Sequence, residues 1–141
     1  MDIQIATLCD FAVDYNGKMV ISGTFDALAA KALPVVHPQC SLAMRICMTP
    51  EDSGKHALTI NIIDGDGNPI DREKMPLKAE MPVKVPENVT FVTRNLVLNF
   101  QGLKFEKAGI YSVDVSVDDE LVARLPLRIV QVPQQEGAPQ Q

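Results

Sequence analysis

The sequence predicts an all-β fold, a two-sheet antiparallel sandwich of about seven or eight strands. Three observations carry that expectation. Short apolar runs alternate with polar residues at a period of two, the signature of strands with one buried and one wet face. Turn-forming pairs such as Asn16-Gly17 and Asp118-Asp119 recur between the runs. The one stretch of helical composition, Ala27–Leu33, is too short to stand as an independent helix and is read as a single turn or irregular crossover.

Taken in order, Ile3 to Cys9 forms the first strand, and Asn-Gly at 16–17 suits a tight hairpin because both residues tolerate left-handed backbone. The second strand runs from Met19 to Phe25. Gly23 inside it predicts a bulge or a close backbone contact. Pro34 ends the crossover, and Leu42, Met44, Ile46 and Met48 alternate along a third strand. Glu51 to Gly54 makes a turn into a fourth strand with Leu58, Ile60 and Ile62, and the third and fourth strands are expected to pair as a hairpin. Residues 65–88 hold four prolines (Pro69, Pro76, Pro82, Pro86) and no sustained period. They read as a long loop with short edge strands at Pro69–Asp71 and Met81–Val85, since proline is confined to strand edges and starts.

The stretch from Asn95 to Val132 is the one around which the chain is organised. Leu96, Leu98 and Phe100 mark a strand, and Gly109 leads into a β-hairpin. Its first arm alternates Tyr111, Val113, Val115 and Val117 with polar residues, and its second alternates Leu121, Ala123, Leu125, Leu127 and Ile129 across the acidic turn at Asp118-Asp119. The spacing of apolar strand, Phe105, Gly109, Tyr111 and alternating strand resembles the late strands of immunoglobulin-like sandwiches, including the region of their tyrosine corner. The antibody-type tryptophan and cysteine markers are absent, so the resemblance implies an architecture and no activity. Residues 1–132 are read as a single sandwich domain. Pro133 to Gln141 is read as a disordered polar tail, too poor in apolar residues to order itself.

Across MDIQIATLCDFA, NGKMVISGTFD, LPVVHP, IIDGDG and GIYSVDVSVDD the chain resembles an uncharacterised bacterial family of unknown function with a β-sandwich domain. That resemblance implies a bacterial cytosolic origin and the sandwich fold. It implies nothing about chemistry.

Composition narrows the function classes. The chain has 141 residues and a net charge of −5, with no dense run of Lys or Arg to follow a phosphate backbone, so nucleic acid is not an expected partner. The cluster Arg72, Lys74, Lys78 and Lys84 is read as solvated surface. No apolar run approaches the roughly 20 residues of a membrane span, and the start, Met1-Asp2-Ile3, does not read as a secretory signal. Three cysteines at irregular spacing (Cys9, Cys40, Cys47) are no disulfide framework. The expected location is cytoplasmic, with reduced thiols.

Candidate chemistry is sparse. Asp64-Gly65-Asp66-Gly67-Asn68 alternates oxygen ligands of the kind calcium takes, but fails as a helix–loop–helix calcium loop because the turn glycine and bidentate acid would fall at Pro69 and Met75. An edge-loop calcium site using Asp64, Asp66, Asn68 and Asp71 is the alternative, weighed against a simple Asp/Gly turn that bonds its own backbone. His37 with Cys40 is an incomplete zinc set, and Cys40 and Cys47, seven apart in one strand, face opposite sides. His56 begins a strand after a turn, where a histidine without a chemical role is ordinary. No nucleophile elbow, Cys/His signature or phosphate loop is present.

No cofactor and no catalytic residue are therefore assigned. The expected function is a non-catalytic module acting through protein contacts, with a protein partner or as a homodimer. Ile3 and Ile5 face one side of the first strand and Leu8 the other, and Val20 opposes Met19 and Ile21 on the second, so both faces of this hairpin call for cover. Ile3, Ile5, Leu8 and Val20 are the interface candidates. The rival is a small-ligand or calcium-binding sandwich using the Asp64–Asp71 loop.

Overall fold

A computed structural model describes residues 1–133, and the tail expected at 133–141 lies outside the described residues beyond Pro133. Nine strands are present among them: β1 (Asp2–Tyr15), β2 (Lys18–Thr24), β3 (Ala27–Ala30), β4 (Val35–Met48), β5 (Gly54–Ile63), β6 (Leu77–Val83), β7 (Val92–Phe105), β8 (Gly109–Val117) and β9 (Glu120–Gln131). They form two sheets, in the orders β2-β1-β4-β7 and β3-β9-β8-β5-β6. The two-sheet sandwich is thus the one its alternating sequence predicts.

The core lies between the sheets and is built from alternate residues. From β4 come Leu42, Met44, Ile46 and Met48, each at most 1% exposed, and they meet Ile60 and Ile62 of β5 and Val113 and Val115 of β8. Each of these side chains contributes roughly 1.5–3 kcal/mol of burial, and only a strict period of two can deliver them all to one face.

Both tight turns have the backbone their residues favour. Asn16 and Gly17 have φ of 52° and 80°, and Asp118 and Asp119 have 51° and 63°, the left-handed pair that matches the twist of a two-residue hairpin. Gly23 has φ of 71° and faces Asp10 so closely that a Cβ would lie 2.5 Å from Asp10 Oδ2, the close contact its position in the strand predicts.

Several expectations are corrected. Ala27–Leu33 is no turn of helix: Ala27–Ala30 form β3, which pairs in parallel with β9 at Ala27 opposite Arg128, so the five-stranded sheet is not wholly antiparallel. Four residues cannot close the hydrogen bonds of a helix, while an open sheet edge offers them partners immediately. The third and fourth strands are not a hairpin. β4 pairs with β1 and β7, whereas β5 pairs with β6 and β8 in the other sheet. The turn at Pro50–Asp52 carries the chain from one layer to the other. The expected edge strand near Met81 is present as β6, with Pro82 in it, but Pro69 makes only an isolated bridge to Ile63. In the last hairpin the register shifts between Val115 and Ser116, so that Val122 and Ala123 pack on the core and Leu121 points outward, 46% exposed.

Candidate interaction surface

The first hairpin is longer than its sequence suggests, and its far half departs from the sheet. β1 pairs with β4 from Asp2 to Cys9, with a register shift between Ile3 and Ile5, while β2 pairs with β1 from Cys9 to Tyr15. Beyond Cys9 the hairpin lies over the outer face of β4 and β7. Ala12, Met19 and Ile21 pack there with Cys9, Ala43 and Val97 in a second, smaller core.

Polar bonds pin the tip. Arg45 Nη1 donates to Gly17 O at 3.2 Å and to Asn95 Oδ1 at 2.6 Å, and Asn95 Nδ2 donates to Asp14 Oδ2 at 3.0 Å and to Gly17 O at 3.1 Å. The Gly17 amide, followed by the Asn95 amide, holds the Asp14 carboxyl below the usual carboxylate range. The apolar side of the outer sheet face is thereby covered by the chain itself.

Alternation then forces the opposite side of the same hairpin into solvent. Phe11, Val13, Tyr15 and Val20 are 54%, 39%, 64% and 45% exposed, with Val13 directly opposite Val20. Large apolar side chains scattered singly need no explanation, but four adjacent on one two-stranded ribbon form a patch of the kind that partners cover.

The four interface candidates are not brought together on this surface. Leu8 is 3% exposed in the main core and Ile3 packs against that core, because the bulge near Gln4 turns Ile3 and Leu8 to the same side. Ile5 is half-buried on the outer face beside Arg45. Val20 alone lies in the exposed stripe. Phe11, Val13 and Tyr15 were missed because a strand with apolar residues on both faces does not say which face the rest of the chain covers.

The Asp64–Asp71 loop sits at the other end of the sandwich. Asp64 Oδ1 accepts the amides of Asp66 and Asn68, each at 2.9 Å, and Asp71 Oδ1 accepts those of Glu73 at 3.0 Å and Lys74 at 3.2 Å. Two of the four candidate ligands thus cap their own backbone. Among the described residues no three of His, Cys, Asp and Glu converge on a metal-sized point. The loop does line an open cleft of about 440 Å³, where Asp64 and Asp66 face Lys104, Glu106 and Lys107. Tyr111 at its base donates to Lys107 O at 2.7 Å and meets the Phe105 ring edge-on at 5.0 Å, the corner that the sequence resemblance implies.

The histidines are separate. His56 Nδ1 lies 2.6 Å from Asp118 Oδ2 and Nε2 lies 2.6 Å from Asp52 O, so both nitrogens meet acceptors, an arrangement that favours the protonated ring. The Asp118 partner, then the Asp52 carbonyl, push its pKa up from 6.5. His37 instead leans on the Phe25 ring at 5.7 Å, its buried Nε2 without a partner among the described residues. Cys40 is in the main core and Cys47 on the opposite face of β4, as their spacing requires, and all three cysteines are free thiols. No described helix is long and apolar enough to cross a membrane.

Two apposed sheets closed by a tyrosine corner make this an immunoglobulin-like β-sandwich. The chain belongs to the family of unknown function DUF6941, whose model matches residues 4–130. No curated protein matches it in sequence. Among solved structures it is similar to the Pseudomonas fluorescens alkylpurine DNA glycosylase AlkC bound to DNA containing an abasic site analog, with a TM-score of 0.51 and 8% identity over 92% of this chain. The match spans 30% of the glycosylase, and the likeness is one of fold. An immunoglobulin-like protein from Pseudomonas aeruginosa aligns over 91% of this chain and 94% of its own, with 15% identity and a TM-score of 0.38.

Proposed function

We propose that the protein is a non-catalytic cytoplasmic module that acts through protein–protein contacts made by the outward face of its first hairpin. The observation that carries this is the exposed stripe of Phe11, Val13, Tyr15 and Val20 on a ribbon whose other face is already packed. Free thiols and an acidic chain support a cytoplasmic setting, and a net charge of −5 argues against nucleic acid as the partner. A photo-reactive residue at position 13, with the same probe at position 128 on the far sheet as control, tests the reading in native extract. Discrete adducts at 13 alone, competed by excess unlabelled protein but not by a Val13→Lys/Val20→Lys variant, are expected. Equal, uncompeted labelling at both positions overturns it.

A second reading follows from the cleft between the Asp64–Asp71 loop and the turn before Tyr111, which has the mixed charge suited to a small polar ligand or a cation. Calcium titration followed by backbone amide shifts tests it. Saturable shifts confined to residues 64–71 support this reading, and none at millimolar calcium removes its calcium form.

A further inference from the structure

Among the described residues the sandwich has four open strand edges, and three of them are guarded. β3 has four residues, β2 has seven with Gly23 in left-handed backbone, and β6 has seven with Lys78, Glu80 and Pro82 among them. Short length, charge and proline are the usual protections against edge-to-edge pairing. β7 has none of them over most of its span. It runs for 14 residues, pairs among the described residues with β4 alone, and from Val92 to Gln101 carries Arg94 as its one ionisable side chain.

Its sequence is also self-complementary. Asn95-Leu96-Val97-Leu98-Asn99 reads the same in both directions. Two copies laid antiparallel about Val97 place Val97 against Val97, Leu96 against Leu98, Asn95 against Asn99 and Thr93 against Gln101. Leu96 and Leu98 are half-buried and pack against the main core, so they face inward, and Val97 packs with Ala43 on the outer side, so both faces match across the pair. The inward face borders a groove of about 230 Å³ between the edges of β7 and β6, lined by Leu58, Met81, Leu96 and Leu98. A second copy seated in this register extends one sheet from four strands to eight and closes the mouth of that groove.

We propose that β7 is a dimerisation edge whose occupant is β7 of a second copy of this chain, antiparallel and centred on Val97. The proposal rests on the protein-contact reading above but names a different face, leaving the first hairpin free on the outside of the pair.

The test combines solution mass with position-specific cross-linking, on the full chain in a Cys47→Ser background so that the native thiols left, Cys9 and Cys40, are both buried. Light scattering over a concentration series is expected to reach twice the 15.4 kDa of the chain. Val97→Cys is expected to cross-link with a short bis-maleimide, because directly opposed Cβ atoms are about 5 Å apart, while Val20→Cys is not. Thr93→Lys/Gln101→Lys sets lysine against lysine twice, and is expected to weaken the dimer about tenfold with its circular dichroism unchanged. A monomer throughout the series overturns the proposal. A dimer that cross-links at 20 and not at 97 also overturns it, yet leaves assembly through the hairpin standing.

Discussion

His56 reaches across to Asp118, 62 residues away, with Nδ1 and Oδ2 2.6 Å apart, and so ties the start of β5 to the turn of the last hairpin. Asp118 also accepts the Ala57 amide through Oδ1 at 2.9 Å. The pair therefore fastens the β8–β9 turn to the neighbouring strand at one end of the sandwich.

Its stability has a defined pH window. The His56 pKa is raised in the fold, so its contribution is complete below the unfolded value near 6.5 and is lost as pH rises through the folded value. The Ala57 amide and then His56 hold Asp118 below its usual range, so that contribution is present above about pH 4 and lost on acidification through the lowered value. Thermal unfolding is expected to show Tm falling between pH 6 and pH 9, with the fall reduced in His56→Gln. An equal fall in both proteins removes the pair as its cause.

The tyrosine corner makes a separate prediction. Tyr111 is 6% exposed and its hydroxyl donates to Lys107 O at 2.7 Å. Tyr111→Phe keeps the edge-on contact with Phe105 but leaves that carbonyl without its partner, a loss of about 1 kcal/mol in urea unfolding. A change under about 0.3 kcal/mol shows that water replaces the bond without loss.

Release of the hairpin tip is expected from Asn95→Ala, which removes the donor to Asp14 and Gly17 and the acceptor for Arg45. Hydrogen exchange at residues 12–21 then quickens several-fold, while amides of β8 are unchanged, because only the small core of Ala12, Met19 and Ile21 and the Arg45 bond to Gly17 O remain to hold the flap. Equal acceleration in both regions means that the substitution acts through global stability.

The thiols separate by environment. Cys40 is 2% exposed and burial pushes its pKa up to about 11, leaving roughly one thiolate in a thousand at pH 8, whereas Cys47 is half-buried on the other face of β4. Alkylation of the folded protein followed by mass spectrometry is expected to modify Cys47 first, with Cys9 and Cys40 reacting only in denaturant. Modification of Cys40 at the rate of Cys47 contradicts this packing.

The sequence by itself determined the strands of the main core and the two tight turns. Tyr111 to Val117 and Leu42 to Met48 alternate strictly, and alternation is a local property written residue by residue; Asn16-Gly17 likewise needs no distant partner to favour left-handed backbone. Which strands became neighbours was not local. Nothing between Met48 and Leu58 distinguishes a hairpin from a passage between layers, and Ala27–Ala30 took extended form because β9 offered a free edge. The exposed stripe was decided the same way. Phe11, Val13, Tyr15 and Val20 are as apolar as Ala12, Met19 and Ile21, and only the fold of the hairpin over Ala43 and Val97 put one set inside and the other in solvent. Burial belongs to the assembled surface rather than to the side chain, so tertiary structure alone could choose the face left in solvent.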